Sequence, residues 1–156
     1  MTNYSLLKAQ LAALLEGIPY PLANLANAAA FLYEMLPDLN WAGFYLSRRE
    51  GEEEVLILGP FQGRTACIRI LYGHGVCGTA AQKDEPQLVP DVHEFPGHIA
   101  CDAASASEVV IPLHDEEGQV FGVLDLDSPT KGRFTGEDLK GLCELAEVIE
   151  IAGCPC

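Results

Sequence analysis

Apolar residues recur at helical spacing twice near the start of the chain. Leu7, Leu11 and Leu14, then Ile18, fall three or four apart beginning within residues 3–16, behind Thr2 or Asn3 as an N-cap, which predicts an amphipathic helix. Gly17 and Pro19 stop it. Pro21 suits the first turn of a second helix, whose apolar face is Leu22, Leu25, Ala26, Ala29, Leu32, Tyr33 and Leu36. Beyond Pro37-Asp38 the pattern changes to that of strands: Trp41 to Leu46, Val55 to Leu58, and a shorter one at Ala66 to Ile70, with an acidic loop over Glu50 to Glu54 between the first two. Gly75 to Lys83 fits a short helix or turn. Asp91 to Ser107 has no period; it holds Pro96, Gly97, His93, His98 and Cys101, and long patternless stretches in compact domains are often functional. Glu108 to Leu113 and Gln119 to Asp127 are strands joined by a tight turn at Asp115-Glu116-Glu117-Gly118. A last helix opens on a Thr135/Asp138 capping box with a Phe134–Leu139 staple, and buries Leu139, Leu142, Cys143, Ala146 and Ile149.

Successive strands joined by short turns pair antiparallel, so this order predicts an α+β domain with helices on one side of the sheet. The 156 residues suit one domain, with a core from about 4 to 150 and a tail over 151–156. Nucleotide fingerprints, phosphate loops and nucleophile elbows are missing from the sequence. With 23 acids against 9 bases the net charge is −14, which argues against nucleic acid and anionic membranes as partners. No apolar run reaches membrane-spanning length. Met1-Thr2-Asn3-Tyr4-Ser5 lacks the basic start of a signal peptide, so a cytoplasmic setting is expected, where cysteines rest as thiols and disulfides are transient and catalytic.

That expectation turns attention to the six cysteines. Cys143 lies on the apolar stripe of the last helix and is expected as a small core residue. Cys154 and Cys156, in the Gly-Cys-Pro-Cys tail, are expected as incidental thiols on a frayed end. Cys67, Cys77 and Cys101 lie in polar or Gly-rich settings. Buried structural thiols are their ordinary reading, but Cys101 closes the irregular stretch, where backbone N–H groups or a cation from Arg69 or His98 would favour a thiolate. A metal reading has His74, Cys77, His93, His98 and Cys101 to draw on, without zinc-ligand spacing. His114 reads as a solvated turn residue.

Asp125 and Asp127 are two apart in a strand and share a face, with Leu124 and Leu126 on the other. Paired carboxylates repel unless they bind a cation, share a proton or accept hydrogen bonds. Glu108, opening the partner strand, joins them across the sheet. The plain alternative is a solvated strand end before Ser128-Pro129. Trp41 and Tyr45 also share a face. Alone they read as core; with the acids they wall a pocket with an apolar and an anionic end, suited to a ligand with an ammonium group and an apolar or sulfur-bearing tail.

Several segments together carry a resemblance: Asn40-Trp41-Ala42-Gly43-Phe44-Tyr45-Leu46, Leu58-Gly59-Pro60-Phe61-Gln62-Gly63, Cys67-Ile68-Arg69-Ile70, Gly75-Val76-Cys77-Gly78-Thr79-Ala80, Asp91-Val92-His93, Phe95-Pro96-Gly97-His98-Ile99-Ala100-Cys101-Asp102, Ser107-Glu108 and Gly122-Val123-Leu124-Asp125-Leu126-Asp127-Ser128-Pro129. From about residue 4 to residue 150 the chain resembles the free methionine-(R)-sulfoxide reductases, GAF-domain enzymes. The resemblance implies a single GAF domain, a central antiparallel sheet flanked by helices. It implies reduction of the R-sulfoxide of free methionine, not of peptide-bound methionine sulfoxide. By the family motif Cys101 is the nucleophile, Cys67 the principal resolving cysteine and Cys77 an additional one. Glu108, Asp125 and Asp127 match the set that binds substrate and activates the sulfoxide, and Trp41 and Tyr45 the wall for its methyl-sulfur end. A sulfenic acid on Cys101 then condenses with Cys67 to a disulfide that thioredoxin recycles. Neither organic cofactor nor metal is implied, and a homodimer is common in the family. Cys143, Cys154 and Cys156 fall outside the motif. The alternatives are a GAF sensor module binding a cyclic nucleotide or other small molecule without turnover, and a redox-sensing or zinc-binding thiol protein.

Overall fold

The computed structural model describes residues 1–98 and 104–155. Helix α1 (Tyr4–Leu15) starts where the Asn3 side chain accepts the Leu6 N–H at 3.1 Å, and it buries Leu7, Leu11 and Leu15. Leu14 and Ile18, expected on that stripe, are partly exposed. Helix α2 (Pro21–Met35) has Pro21 in its first turn and buries Leu25, Ala28, Ala29 and Leu32. The sheet runs β3-β2-β1-β6-β5-β4, every pairing antiparallel, with β1 Trp41–Glu50, β2 Glu53–Gly63, β3 Arg69–Leu71, β4 Gln87–Val89, β5 Ser107–His114 and β6 Val120–Ser128. Helix α3 (Gly75–Lys83) lies between β3 and β4, and α4 (Gly136–Gly153) closes the chain behind the expected capping box: Asp138 N–H to Thr135 Oγ1 at 3.1 Å, Thr135 N–H to Asp138 Oδ2 at 2.9 Å.

The acidic loop expected over residues 50–54 is instead a tight hairpin. Strands β1 and β2 continue to a two-residue turn with Gly51 at φ +63°, and Arg49 meets its cross-strand partner Glu54 at 3.7 Å. Charges of both signs facing one another support a ladder where a run of acids suggests a loop. Strand β3 starts later than the expected Ala66–Ile70, and β4 is an addition. Within the patternless stretch, Val92–Glu94 forms a 3₁₀ turn capped by Asp91.

The sheet faces differ. Ala42, Phe44, Val109, Ile111, Leu113, Leu124 and Leu126 pack under α1, α2 and α4 as the main core. Trp41, Tyr45, Leu56, Ile70, Val110 and Val123 face the other way, under Val76, Cys77, Ala80 and Ala81 of α3. Helices therefore flank both faces, not one. The short α3 cannot cover its face alone, and the uncovered end, around the start of β1, is where the pocket lies. Among the described residues no helix is long and apolar enough to cross a membrane.

Candidate active site

Strand register assembles the acids. Trp41 stands opposite Asp127, which stands opposite Glu108, a row across β1, β6 and β5; Gly43, Asp125 and Val110 form the next row. The alternation of β6 puts Asp125 and Asp127 on the face away from the main core. The solvated strand end is excluded, because Glu108, Asp125 and Asp127 are only 7 %, 5 % and 8 % exposed. Helix α3 closes over them, and the Cys77 thiol reaches Glu108 Oε2 at 3.9 Å. Ligand atoms of Cys77, Glu108 and Asp125 lie within 4.8 Å of one another. Among the described residues, Asp125 Oδ1 is buried and accepts no hydrogen bond.

An aromatic wall faces the acids. Trp41 stacks between Phe61 and Tyr45, with ring centroids 5.1 and 5.8 Å away. Trp41 Nε1–H donates to the Arg64 carbonyl at 3.1 Å, and the Tyr45 hydroxyl donates to the Cys67 carbonyl at 2.9 Å. The wall thus also anchors the loop that carries Cys67. Its geometry depends on an irregularity between Gly43 and Tyr45, where the β1–β2 register shifts. A Cβ on Gly43 would stand 2.3 Å from that of Phe61. The pocket has a free volume of about 50 Å³; Trp41, Tyr45, Ile70 and Val76 line its apolar side and Cys77, Glu108, Asp125 and Asp127 its acidic side, with Thr65, Ala66, His98 and Ser105 also along it.

Burial governs the electrostatics. Glu108 is pushed well above the ordinary carboxylate range by desolvation, then by the Asp125 charge and by a hydrogen bond to Asp125. Asp125 is also raised, by desolvation and then the Asp127 charge, while its hydrogen bond with Glu108 works the other way. Both members of this pair are thus driven toward the protonated form, by burial first and by their acidic neighbours second. Desolvation and the same acids push the Cys77 thiol up, so it is held neutral. Tyr45 is raised by burial and then Asp125. His98 is lowered by burial and then His93. The arrangement offers a carboxyl that holds its proton more tightly than an ordinary acid, beside carboxylates suited to a cationic group.

Cys101 falls outside the described residues. On either side of that stretch His98 and Ser105 both line the pocket, and the downstream flank is fixed: Asn40 Nδ2 donates to Ser105 Oγ at 3.2 Å, and Ala106 N–H to the Ser128 carbonyl at 2.7 Å. Cys67 is half-buried and disulfide-bonded, whereas Cys77 and Cys143 are free thiols. Arg69, one of the two cations considered for Cys101, points elsewhere: it is exposed and bound to Glu50 at 2.7 Å and Glu53 at 3.3 Å. His114 is no solvated turn residue; it bridges Asp84 at 2.5 Å and Glu150 at 3.5 Å, tying β5 to the ends of α3 and α4. Cys143 packs at the edge of the main core, as expected. Cys154 is not an incidental thiol on a frayed end, since it is disulfide-bonded and packs against that core. Phe61 and Ser105 escaped the sequence reading: Pro60 argues for ending β2 at Leu58, and nothing local marks Ser105.

The GAF domain model matches residues 20–152. The chain is 55 % identical over 138 residues to the free methionine-R-sulfoxide reductase of Escherichia coli K12, covering 88 % of this chain and 81 % of that one. It is 46 % identical over 130 residues to the enzyme of the same name from Saccharomyces cerevisiae, covering 81 % and 72 %. The X-ray structure of free methionine-R-sulfoxide reductase from Neisseria meningitidis in complex with its substrate is similar at a TM-score of 0.90, with 41 % identity over 96 % of this chain and 87 % of that one.

Proposed function

We infer the reaction from kinship and chemistry together: the chain belongs to the free methionine-R-sulfoxide reductase family of GAF-domain proteins. It reduces the R-sulfoxide of free L-methionine to methionine. The observation that carries this reading is the set of three buried carboxylates that line one small pocket together with an aromatic wall. A sulfoxide sulfur becomes electrophilic once its oxygen is protonated or strongly hydrogen-bonded. Glu108, whose carboxyl burial and Asp125 hold well above the ordinary carboxylate range, is the acid. Asp125 and Asp127 face the substrate's ammonium group, and Trp41 and Tyr45 receive its methyl-sulfur end.

The thiolate of Cys101 attacks the activated sulfur. Oxygen passes from substrate to thiol, so the sulfoxide gains two electrons, methionine leaves and Cys101 becomes a sulfenic acid. The Cys67 thiol condenses with it, releasing water and forming a disulfide; a dithiol such as thioredoxin then restores both thiols by exchange. The disulfide-bonded state of Cys67 supports this role. Cys77 is the additional cysteine, beneath Glu108. No organic cofactor or metal takes part. Recycling by a dithiol belongs in a reducing compartment, the cytoplasm. The family resemblance further implies a homodimer, which sedimentation reads as a doubled mass. A nucleotide-sensing role fits poorly, because a phosphate would face three carboxylates.

The test is methionine formation from the two separated sulfoxide epimers, free and peptide-bound, with dithiothreitol as reductant. Product from the free R epimer alone is expected. No methionine from that epimer overturns the reading.

A further inference from the structure

The acids under α3 form part of a donor set of mixed chemistry. One sulfur and two carboxylate oxygens, from Cys77, Glu108 and Asp125, lie within 4.8 Å of one another, and the Cys77 Sγ to Glu108 Oε2 separation is 3.9 Å. Around a tetrahedral ion with bonds of about 2.0–2.3 Å, neighbouring ligand atoms stand roughly 3.3–3.8 Å apart, so small side-chain movements suffice. The three residues come from the first turn of α3, from β5 and from β6, elements that hold them in place without a ligand. A second observation points the same way. Among the described residues Asp125 Oδ1 is buried and has no hydrogen-bond partner, which leaves one strong acceptor of the cluster open to a ligand. The described residues lining the pocket include no lysine or arginine to supply the missing positive charge.

We propose that Cys77, Glu108 and Asp125 bind one thiophilic divalent cation of zinc size, with its remaining position open to the pocket, so that the ion excludes substrate. Thiolate with carboxylate selects Zn²⁺ over Mg²⁺ or Ca²⁺, which prefer all-oxygen sites. Binding stands on the donor geometry alone; only the exclusion of substrate rests on the reductase reading.

The chain in its disulfide state is titrated with Zn²⁺ against a chelating dye, and with Co²⁺ to read the near-ultraviolet thiolate-to-cobalt band. One ion per chain with a thiolate band is expected. The band disappears in Cys77→Ser and persists in Cys143→Ser, the other free thiol among the described residues. Glu108→Gln and Asp125→Asn each weaken binding by about tenfold or more. A missing band, a band that survives Cys77→Ser, or displacement of the ion by equal Mg²⁺ overturns the site. In single turnovers without added thiol, Zn²⁺ is expected to raise the substrate concentration needed for half-maximal rate. Inhibition unaffected by substrate concentration overturns the exclusion of substrate. Absence of any turnover in metal-free protein overturns the reductase reading and leaves the binding result standing.

Discussion

Replacing Glu108 with Gln preserves the shape of the side chain and removes its titration. The polar atoms of Cys77, Glu108 and Asp125 lie within 4.8 Å of one another. Two negative charges at that separation repel by about 3.5 kcal/mol at an effective dielectric near 20. The folded protein reduces this repulsion by binding a proton more tightly at Glu108, whose pKa is raised by burial and then by Asp125. The sign follows. A raised folded-state pKa gives a contribution fully present below the ordinary glutamic acid pKa and lost as pH rises through the folded value. Wild type therefore loses stability as pH rises above the ordinary glutamic acid pKa, by up to about 3 kcal/mol from this group, which corresponds to a melting shift on the order of 10 °C for a domain of this size. Glu108→Gln flattens that limb and melts above wild type there, while its turnover falls by about a hundredfold or more for want of the acid. The acid limb serves as an internal control. Asp138 is partly desolvated, but its hydrogen bonds from Tyr4 and Thr135 prevail and lower its pKa; its contribution is lost as pH falls, equally in both proteins. The assay is thermal unfolding by circular dichroism from pH 2 to 9 at fixed salt and reductant. Parallel melting curves for the two proteins across the whole range would refute the reasoning.

The cysteine roles separate in a single turnover: Cys101→Ser forms no methionine, whereas Cys67→Ser forms one equivalent per chain and then fails to recycle with thioredoxin; full activity in Cys101→Ser would reassign the nucleophile. Gly43→Ala places a methyl 2.3 Å from Phe61 Cβ, so it costs about 1–3 kcal/mol by overpacking and raises KM as the Phe61–Trp41 stack shifts; unfolding and steady-state kinetics check both, and unchanged values for both would show that the strands absorb the methyl. Asp138→Ala removes the Asp138 half of the α4 capping box and the 2.6 Å hydrogen bond from Tyr4; melting should drop by the equivalent of about 1–2 kcal/mol with kcat/KM intact, and a large loss of kcat/KM would place this helix terminus in the catalytic machinery.

What was legible in the sequence follows from where each signal is written. Period and capping chemistry are local, so α1, α2, α4 and the β5–β6 hairpin could be placed to within a few residues. The shared face of Asp125 and Asp127 needed only the two-residue repeat of a strand, and the participation of Glu108 only the antiparallel return of a short hairpin. Burial was not written there, because it depends on α3 closing over the acids from a distant part of the chain. For the same reason α3 was not expected on the opposite face from the other helices: nothing in Gly75–Lys83 says which side it will cover. The β1–β2 hairpin was hidden by its acids, whose arginine partners become neighbours only once the register is known. The Cys77–Glu108–Asp125 grouping joins a helix to two strands, and no spacing along the chain encodes it.

The alternation along β6 also separates what this protein needs for folding from what it needs for chemistry. Leu124 and Leu126 are wholly buried against the three large helices, while Asp125 and Asp127 occupy the intervening positions against a small helix and an open pocket. A single strand can hold destabilising acids because its other face anchors it in the main core, a pattern in which local strain at a site is offset by packing elsewhere. Substitutions at neighbouring positions should then have opposite signs. Leu126→Ala empties a packed site and costs about 2–5 kcal/mol, whereas Asp125→Asn relieves a buried charge and leaves the core untouched. A one-residue slip in the pairing of β6 would exchange the two faces and lose both properties at once. The register that completes the core is therefore the same one that assembles the acid cluster.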